Sequence, residues 1–282
     1  MSRGLGDVYK RQRLSDVAHR HGATVVRLEK PWGEVFDDQE ARDFIRHERP
    51  RVVAYVQAET STGAFQPGHA ICEAAHEVGA LAIADCVTSL GGMPVLVDET
   101  GIDIAYSCTQ KGLGCPSGLA PLTVSPRAWE RLRKRTTLVD SFYMDLRLLE
   151  SYFRDHKYHH TASATMFYAL REALAIVREE GIEHRWERHR RNHEAFVAGI
   201  EGMGMRMHVA AGHRLWTLNT PCVPDGVDDG KVRHRLLSEH GIEIAGGFGP
   251  LAGKVFRIGL MGYSSTGENV GTILDALKRT MP

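Results

Sequence analysis

The chain has 282 residues, long enough for a sizeable core and for one large domain or two smaller ones. Lysine plus arginine and aspartate plus glutamate both number 35, so the formal net charge is zero and supplies no basic field for a nucleic acid or an acidic membrane surface. The 43% hydrophobic content is ordinary for a globular protein, and no apolar run approaches the roughly 20 residues of a membrane helix. No secretory signal is visible. The five cysteines form no C-x-x-C pair, which favours free thiols in a reducing, cytoplasmic setting.

Residues 1–13, opening MSRGLGDVYKRQ, lack useful apolar periodicity and read as a non-native leader. From Leu14, LSDVAHRHG reads as a helix closing at Gly22, followed by the strand ATVVRLE. A short helix spans Asp38 to Arg46, and RVVAYVQ is a buried strand. After the polar loop AETSTGAFQPG, Pro67 opens a helix that runs to Gly79. LAIADC, IDIAYSC and LAPLTVS are further strands. Strands alternating with helices indicate an α/β fold with a largely parallel sheet.

Beyond Pro126 the pattern changes. Arg131 to Arg135 is a solvated basic helix end, and Asp140 to Lys157 is a connecting stretch. Ala162 to Glu180 is a helix with Met166, Leu170, Leu174 and Val177 on one face, and a charged helix follows from Ile182 to about Met203. Short strands (RMHV, LWTLNTP), a helix from Asp228 to His240, strands GIEIAG and KVFRIGLMG, and a last helix capped by Thr266 make a compact α+β unit. These shifts place domains at 14–180 and 181–282.

The chemistry concentrates between Ala82 and Gly118. One strand ends in Asp85, and the next leads into Thr109-Gln110-Lys111 and a Gly- and Pro-rich loop. In an open α/β sheet, ligands bind beyond the carboxyl ends of the strands. A lysine amine condenses with an aldehyde cofactor, and a buried carboxylate keeps the pyridinium nitrogen of pyridoxal 5′-phosphate (PLP) protonated. Lys111 and Asp85 suit those roles. Val87 shares the face of Asp85 in extended backbone and can pack on the ring. The ordinary readings compete: an aspartate after a strand is often a turn former, and a lysine before glycine a solvated helix end.

The motifs ETSTGAFQP, IADCVTSLGG, GIDIAYSCTQKGLGCPSGLAPLTVS, YHHTASATMFYALREAL and VFRIGLMGYSSTGENV, in that order, resemble the class V aminotransferases, in particular the alanine–glyoxylate and serine–glyoxylate (serine–pyruvate) enzymes. The resemblance runs from about Leu14 to the C-terminus. It implies PLP fold type I, a large α/β domain with a small C-terminal domain, and a homodimer. It makes Lys111 the Schiff-base lysine and the proton carrier at the substrate Cα. It makes Asp85 the pyridinium partner and Val87 the residue on the ring. Thr60 falls near the phenolic oxygen and Gln110 at the phosphate. Tyr158 and Thr161 reach the phosphate of the partner subunit, and Arg257 holds the substrate carboxylate, a planar bidentate contact suited to a guanidinium. Family members carry roughly a hundred residues before the point matching Leu14, among them a Gly-rich phosphate loop at a helix N-terminus. That makes 14–180 a partial large domain of a truncated chain, with weak PLP binding expected.

Other signals carry less. GGFGPLAGK fails as a Walker A loop, because five residues separate Gly247 from Gly253 and Val255 stands where Ser or Thr belongs; it reads as a flexible loop near the substrate entrance. His189 and His193, four apart among arginines, read as a solvated helix face rather than a zinc pair. His159 and His160 are adjacent and should point apart, so no metal is expected. Two alternatives to transamination stay open. One is a cysteine desulfurase or related class V lyase using Cys222, although Gln110 stands where that pattern has histidine. The other is a non-catalytic, truncated aminotransferase-like domain that binds a partner.

Overall fold

The computed structural model describes residues 2–5 and 8–281. The first part of the chain supplies β1 (Ser2–Leu5), α1 (Val8–Arg20), β2 (Val25–Leu28), α2 (Asp38–Glu48), β3 (Val52–Val56), the hairpin β4 (Ala58–Glu59) and β5 (Ala64–Phe65), and α3 (His69–Glu77). Next come β6 (Leu81–Asp85), α4 (Val97–Thr100), β7 (Ile104–Tyr106), β8 (Leu122–Val124), α5 (Pro126–Arg133) and α6 (Leu146–Arg154). The remainder is α7 (Ala164–Glu180), α8 (Ile182–Gly202), β9 (Leu218–Asn219), α9 (Asp229–His240), β10 (Ala245–Gly246), β11 (Phe256–Gly259) and α10 (Gly267–Thr280).

Six strands form one sheet in the order β2-β1-β3-β6-β7-β8. All neighbours are parallel except β8, which runs antiparallel to β7. The α/β expectation therefore holds, with LAPLTVS as the antiparallel edge. Its core is built from Val53 and Tyr55 of β3, Ala82 and Ala84 of β6, Ile45 of α2 and Ile71 of α3. Small side chains (Ala70, Ala74 and Ala75) let α3 lie close to the sheet. A second core joins Phe196 and Ile200 of α8, Leu236 of α9, Phe256 and Ile258 of β11, and Ile273 and Leu277 of α10. It covers the antiparallel sheet β10-β11-β9.

Local chemistry sets the element ends. The Asp37 side chain accepts from the amides of Gln39 and Glu40 to start α2. Ser125 caps α5 with Pro126 in the first turn. Asp228 caps α9, and Thr266 caps α10 through the amide of Asn269.

Several boundaries differ from the sequence reading. Pro67 precedes α3 rather than opening it, because Gly68 is the N-cap; a Cβ there would sit 2.0 Å from the Tyr55 hydroxyl. The 140–157 connection contains α6, started by the Asp145 carboxylate on the Arg147 amide at 3.0 Å. Of RMHV and LWTLNTP, Leu218–Asn219 forms a ladder, while Met207 and Pro221 meet in a single bridge. Residues 1–13, read as a leader, supply β1 and the start of α1; Met1, Gly6 and Asp7 lie outside the described residues. No helix among the described residues is long and apolar enough to cross a membrane.

The amino-terminal edge of the sheet is tied by Asp103, 2% exposed. It accepts from the Ala82 amide at 2.8 Å, Ser125 Oγ at 2.8 Å and Arg127 Nη1 at 2.9 Å, and it meets His76 Nε2 at 3.0 Å. Removing its charge leaves the Arg127 cation without its partner. Asp103→Asn is expected to cost about 2–4 kcal/mol in denaturant unfolding; a loss under about 0.5 kcal/mol would contradict this account.

Candidate active site

The parallel register pairs Asp85 with Tyr106, so β6 and β7 finish at the same sheet edge. Asp85 is 4% exposed. Its Oδ1 accepts from the Val87 amide at 3.0 Å and its Oδ2 from the Tyr106 hydroxyl at 2.9 Å. Burial, and next the Asp85 charge, drive the Tyr106 phenol well above its usual range, so it stays a neutral donor. The Cys86 amide donates to the Tyr106 carbonyl at 2.9 Å and Ser107 Oγ to the Cys86 carbonyl at 3.1 Å, which knits the two strand exits together.

Lys111 follows in a tight turn. The Gly114 amide donates to the Lys111 carbonyl at 3.0 Å, and Thr109 Oγ1 donates to the Pro116 carbonyl at 2.6 Å. Lys111 itself is half-buried, and no hydrogen bond or ion pair engages its amine among the described residues. Gln110 beside it is exposed.

Arg257 lies on β11, opposite Ala245. Its Nε donates to the Gly246 carbonyl at 2.8 Å and its Nη1 to the Thr60 carbonyl at 3.1 Å. The Phe248 ring covers one guanidinium face at 4.8 Å and packs edge-on against Trp32 at 5.7 Å. Burial presses the Arg257 pKa down and neighbouring Glu59 opposes that, but a guanidinium remains charged. Its Nη2 donates no hydrogen bond to the described residues, so these N–H donors stay available to a carboxylate. Thr60 and Arg257 are thus brought together from distant parts of the chain. The Gly246–Lys254 segment, read as a flexible loop, is a folded arm: the Gly247 amide donates to the Val255 carbonyl at 2.9 Å and Phe248 rests on Arg257.

Tyr158 and Thr161 meet each other, their hydroxyls 3.3 Å apart, with Tyr158 81% exposed. No hydrogen bond or ring contact joins them to Asp85, Lys111 or Arg257 among the described residues. The adjacent histidines do not point apart. His159 Nδ1 and His160 Nδ1 are 2.9 Å apart, and His159 stacks on Phe142. Cys222 is buried and bridges Val255, and burial raises its thiol pKa, so it is a protonated strand residue rather than a mobile thiolate.

Sequence reasoning missed the inner face of α8. His189 and His193 are buried there, not solvated. His189 Nε2 accepts from the Gly262 amide at 2.9 Å, which makes Nδ1 the donor to the Arg185 carbonyl at 2.8 Å. His193 Nδ1 lies 2.6 Å from Asn219 Oδ1. The described residues contain no group of three or more His, Cys, Asp or Glu side chains that could hold a metal ion. Arg185 and Arg188 both reach Glu180, and their hydrogen bonds, that of Arg188 foremost, hold its carboxyl below the usual range. The signal for burial was the i, i+3, i+4, i+7 spacing of Arg185, Arg188, His189 and Asn192, hidden by their polarity.

The large sheet thus offers a buried acid and an unengaged amine on the adjoining loop, and β11 of the smaller sheet offers a pinned arginine. The comparisons resolve the class. The aminotransferase class-V family model matches residues 12–270. The (S)-ureidoglycine–glyoxylate transaminase of Bacillus subtilis is 42% identical over 287 residues, covering 95% of this chain and 69% of that protein. The alanine–glyoxylate aminotransferase of Callithrix jacchus is 36% identical, covering 96% of this chain and 66% of that protein. The crystal structure of an alanine–glyoxylate aminotransferase from Nostoc sp. superposes with a TM-score of 0.96 at 47% identity, over 100% of this chain and 75% of that one. The chain belongs to the class-V aminotransferases, and its fold is that of the fold type I PLP enzymes. It spans about two thirds of the length of these curated relatives. PLP is the cofactor that this family implies, and the donor set fits it: a buried carboxylate held by two donors for a cationic ring nitrogen, and an amine with no competing acceptor.

Burial, more than any other cause, lowers the His189 pKa to about 4, so this imidazole folds neutral. The unfolded chain binds the proton near 6.5 and the folded chain near 4, so between those values the unfolded state holds more protons. Stability should therefore be complete above about pH 6.5 and fall by up to about 3 kcal/mol toward pH 4. Urea unfolding across that range should show the slope, and His189→Gln should flatten it. An unchanged slope in the variant would assign the acid sensitivity elsewhere.

Proposed function

We propose that the chain performs PLP-dependent transamination, moving an amino group from a small amino acid, alanine or serine, to glyoxylate or another 2-oxo acid. The observation that carries it is the unengaged Lys111 amine on the loop beside the buried Asp85 carboxylate. The relatives named for glyoxylate transamination support the acceptor.

PLP, when bound, supplies an electron sink for a carbanion at the substrate Cα. The chain's residues do the rest. Asp85, fixed by Val87 and Tyr106, offers its negative charge to a protonated ring nitrogen. Lys111 would hold the cofactor aldehyde and would move the proton at the substrate Cα. Val87 would pack on the ring, Thr60 would hydrogen-bond near the phenolic oxygen and Gln110 would contact the phosphate. Arg257 clamps the α-carboxylate, with Phe248 and two backbone carbonyls fixing the fork before substrate arrives. Cys222, buried and protonated, argues against a desulfurase.

The same reading groups residues 14–180 as the large domain and residues 181–282 as the small domain. It also makes the protein a cytoplasmic homodimer in which Tyr158 and Thr161 serve the partner's phosphate site. The exposed Phe142, Tyr143, Met144 and Tyr168 near that turn in sequence support an interface there.

Borohydride reduction with PLP should fix the cofactor on Lys111 by peptide mapping, and alanine or serine should convert it to pyridoxamine phosphate. Arg257→Leu should keep the fixation and raise KM for the amino acid about 100-fold. Fixation without amino transfer would favour the non-catalytic domain, and sulfide release from cysteine, lost in Cys222→Ala, the lyase. For the dimer, refolding Lys111→Ala together with Tyr158→Ala, each inactive alone, should recover about a quarter of the activity through mixed dimers; no recovery would place Tyr158 in its own subunit's site.

A further inference from the structure

A guanidinium taken out of water must find acceptors for its donors. Arg185 is 3% exposed, and it finds three acceptors. Nη1 donates to Glu180 Oε2 at 2.7 Å, which neutralises the charge. Nε donates to the Gly91 carbonyl at 3.0 Å, and Nη2 to the Gly112 carbonyl at 2.8 Å. Those carbonyls belong to different loops. Gly91 closes the turn that follows Asp85, and Gly112 is the residue immediately after Lys111.

The two loops are pressed together, backbone against backbone. A Cβ on Gly112 would lie 2.3 Å from the Leu90 carbonyl oxygen, and one on Gly91 would lie 2.9 Å from the Gly112 carbonyl carbon. No side chain fits between them. Two carbonyl dipoles aimed at one point repel, and a cation at that point converts the repulsion into a joint. Only a planar fork reaches both oxygens while keeping its acid partner.

The next turn of the same helix face repeats the device on a third segment. Arg188 Nη1 donates to the Gly262 carbonyl at 3.2 Å and to the Ser265 carbonyl. His189 takes the Gly262 amide, and Asn192 Nδ2 donates to the Ser265 carbonyl at 2.8 Å. This segment leaves β11, the strand of Arg257. A Cβ on Gly262 would come within 3.2 Å of the Lys111 carbonyl oxygen, so it too touches the lysine turn. One face of α8 thus holds the backbone of the three segments that carry Asp85, Lys111 and Arg257.

We propose that Arg185, braced by Glu180, is a positioning residue that sets the Lys111 turn against the Asp85 turn, and that Arg188 and His189 add the Arg257 segment to the same joint. The chemical consequence rests on the transamination reading above; the joint itself does not. A lysine at 185 keeps the ion pair with Glu180 but cannot span both carbonyls. Arg185→Lys should therefore fold, with the turns loosened.

Hydrogen exchange of the chain without added cofactor tests the joint. Arg185→Lys should speed amide exchange about tenfold in peptides covering 86–92 and 109–115, and leave the buried α3 and α8 cores unchanged. Arg188→Gln should speed exchange in 260–266 without opening 109–115. Uniform acceleration, or none, would overturn the proposal. With PLP added, Arg185→Lys should still trap cofactor on Lys111 under borohydride. The pH midpoint of the visible band of bound cofactor should shift, and kcat should fall about tenfold with KM for the amino acid within about twofold. Loosened turns with an unshifted midpoint and unchanged kcat would overturn the positioning role while leaving transamination intact. Failure of the unsubstituted chain to trap PLP would instead count against the transamination reading, and the exchange data would still decide the joint.

Discussion

Two backbone carbonyls, those of Gly91 and Gly112, point at a single buried guanidinium, and the rest of the site depends on that convergence. Strand ends fix where a chain leaves a sheet, but not where the following loop goes. Here the loops after β6 and β7 are held by side chains from a helix distant in sequence. The glycines at 91, 112 and 262 are required by the closeness of backbone to backbone. The buried cation costs desolvation, which Glu180 and the carbonyls offset.

The two ends of the large sheet carry opposite assignments. At the amino end of β7, Asp103 gathers the Ala82 amide, Ser125, Arg127 and His76. At the carboxyl end of β6, Asp85 is also buried and accepts from the Val87 amide and the Tyr106 hydroxyl. Both are aspartates at strand ends in a buried setting. What distinguishes the two is the sheet edge each occupies and the loop that adjoins it. Among the arginines, the donors of Arg185 end on protein, whereas Arg257 Nη2 donates to none of the described residues.

The arm around Phe248 illustrates how specificity can be prepared away from the chemistry. Trp32 braces Phe248, and Phe248 covers Arg257. The arm therefore limits the directions from which a carboxylate can approach the fork. A loop that reads as flexible from its glycines becomes ordered because its single large aromatic side chain has a cation to cover.

The periodicity of strands and helices, the capping residues and the Asp85–Lys111 spacing were enough to recover the α/β architecture and to nominate the acid and the amine, because strand alternation, caps and strand-end placement are local properties of the chain; Arg257 was nominated by the family resemblance, since an arginine on a short strand has no local mark of a ligand. Tyr106 was within reach as well, since it ends its strand in register with Asp85, but a tyrosine closing an apolar run has no local mark of its partner. The burial of Arg185, His189 and Asn192, with Arg188 half-buried beside them, was not legible. Polar residues at helical spacing describe a solvated face until a second segment is known to offer carbonyls to them, and those carbonyls lie in Gly91, Gly112, Gly262 and Ser265. Backbone acceptors are identical at every residue, so only the tertiary structure decided which of them the helix would hold.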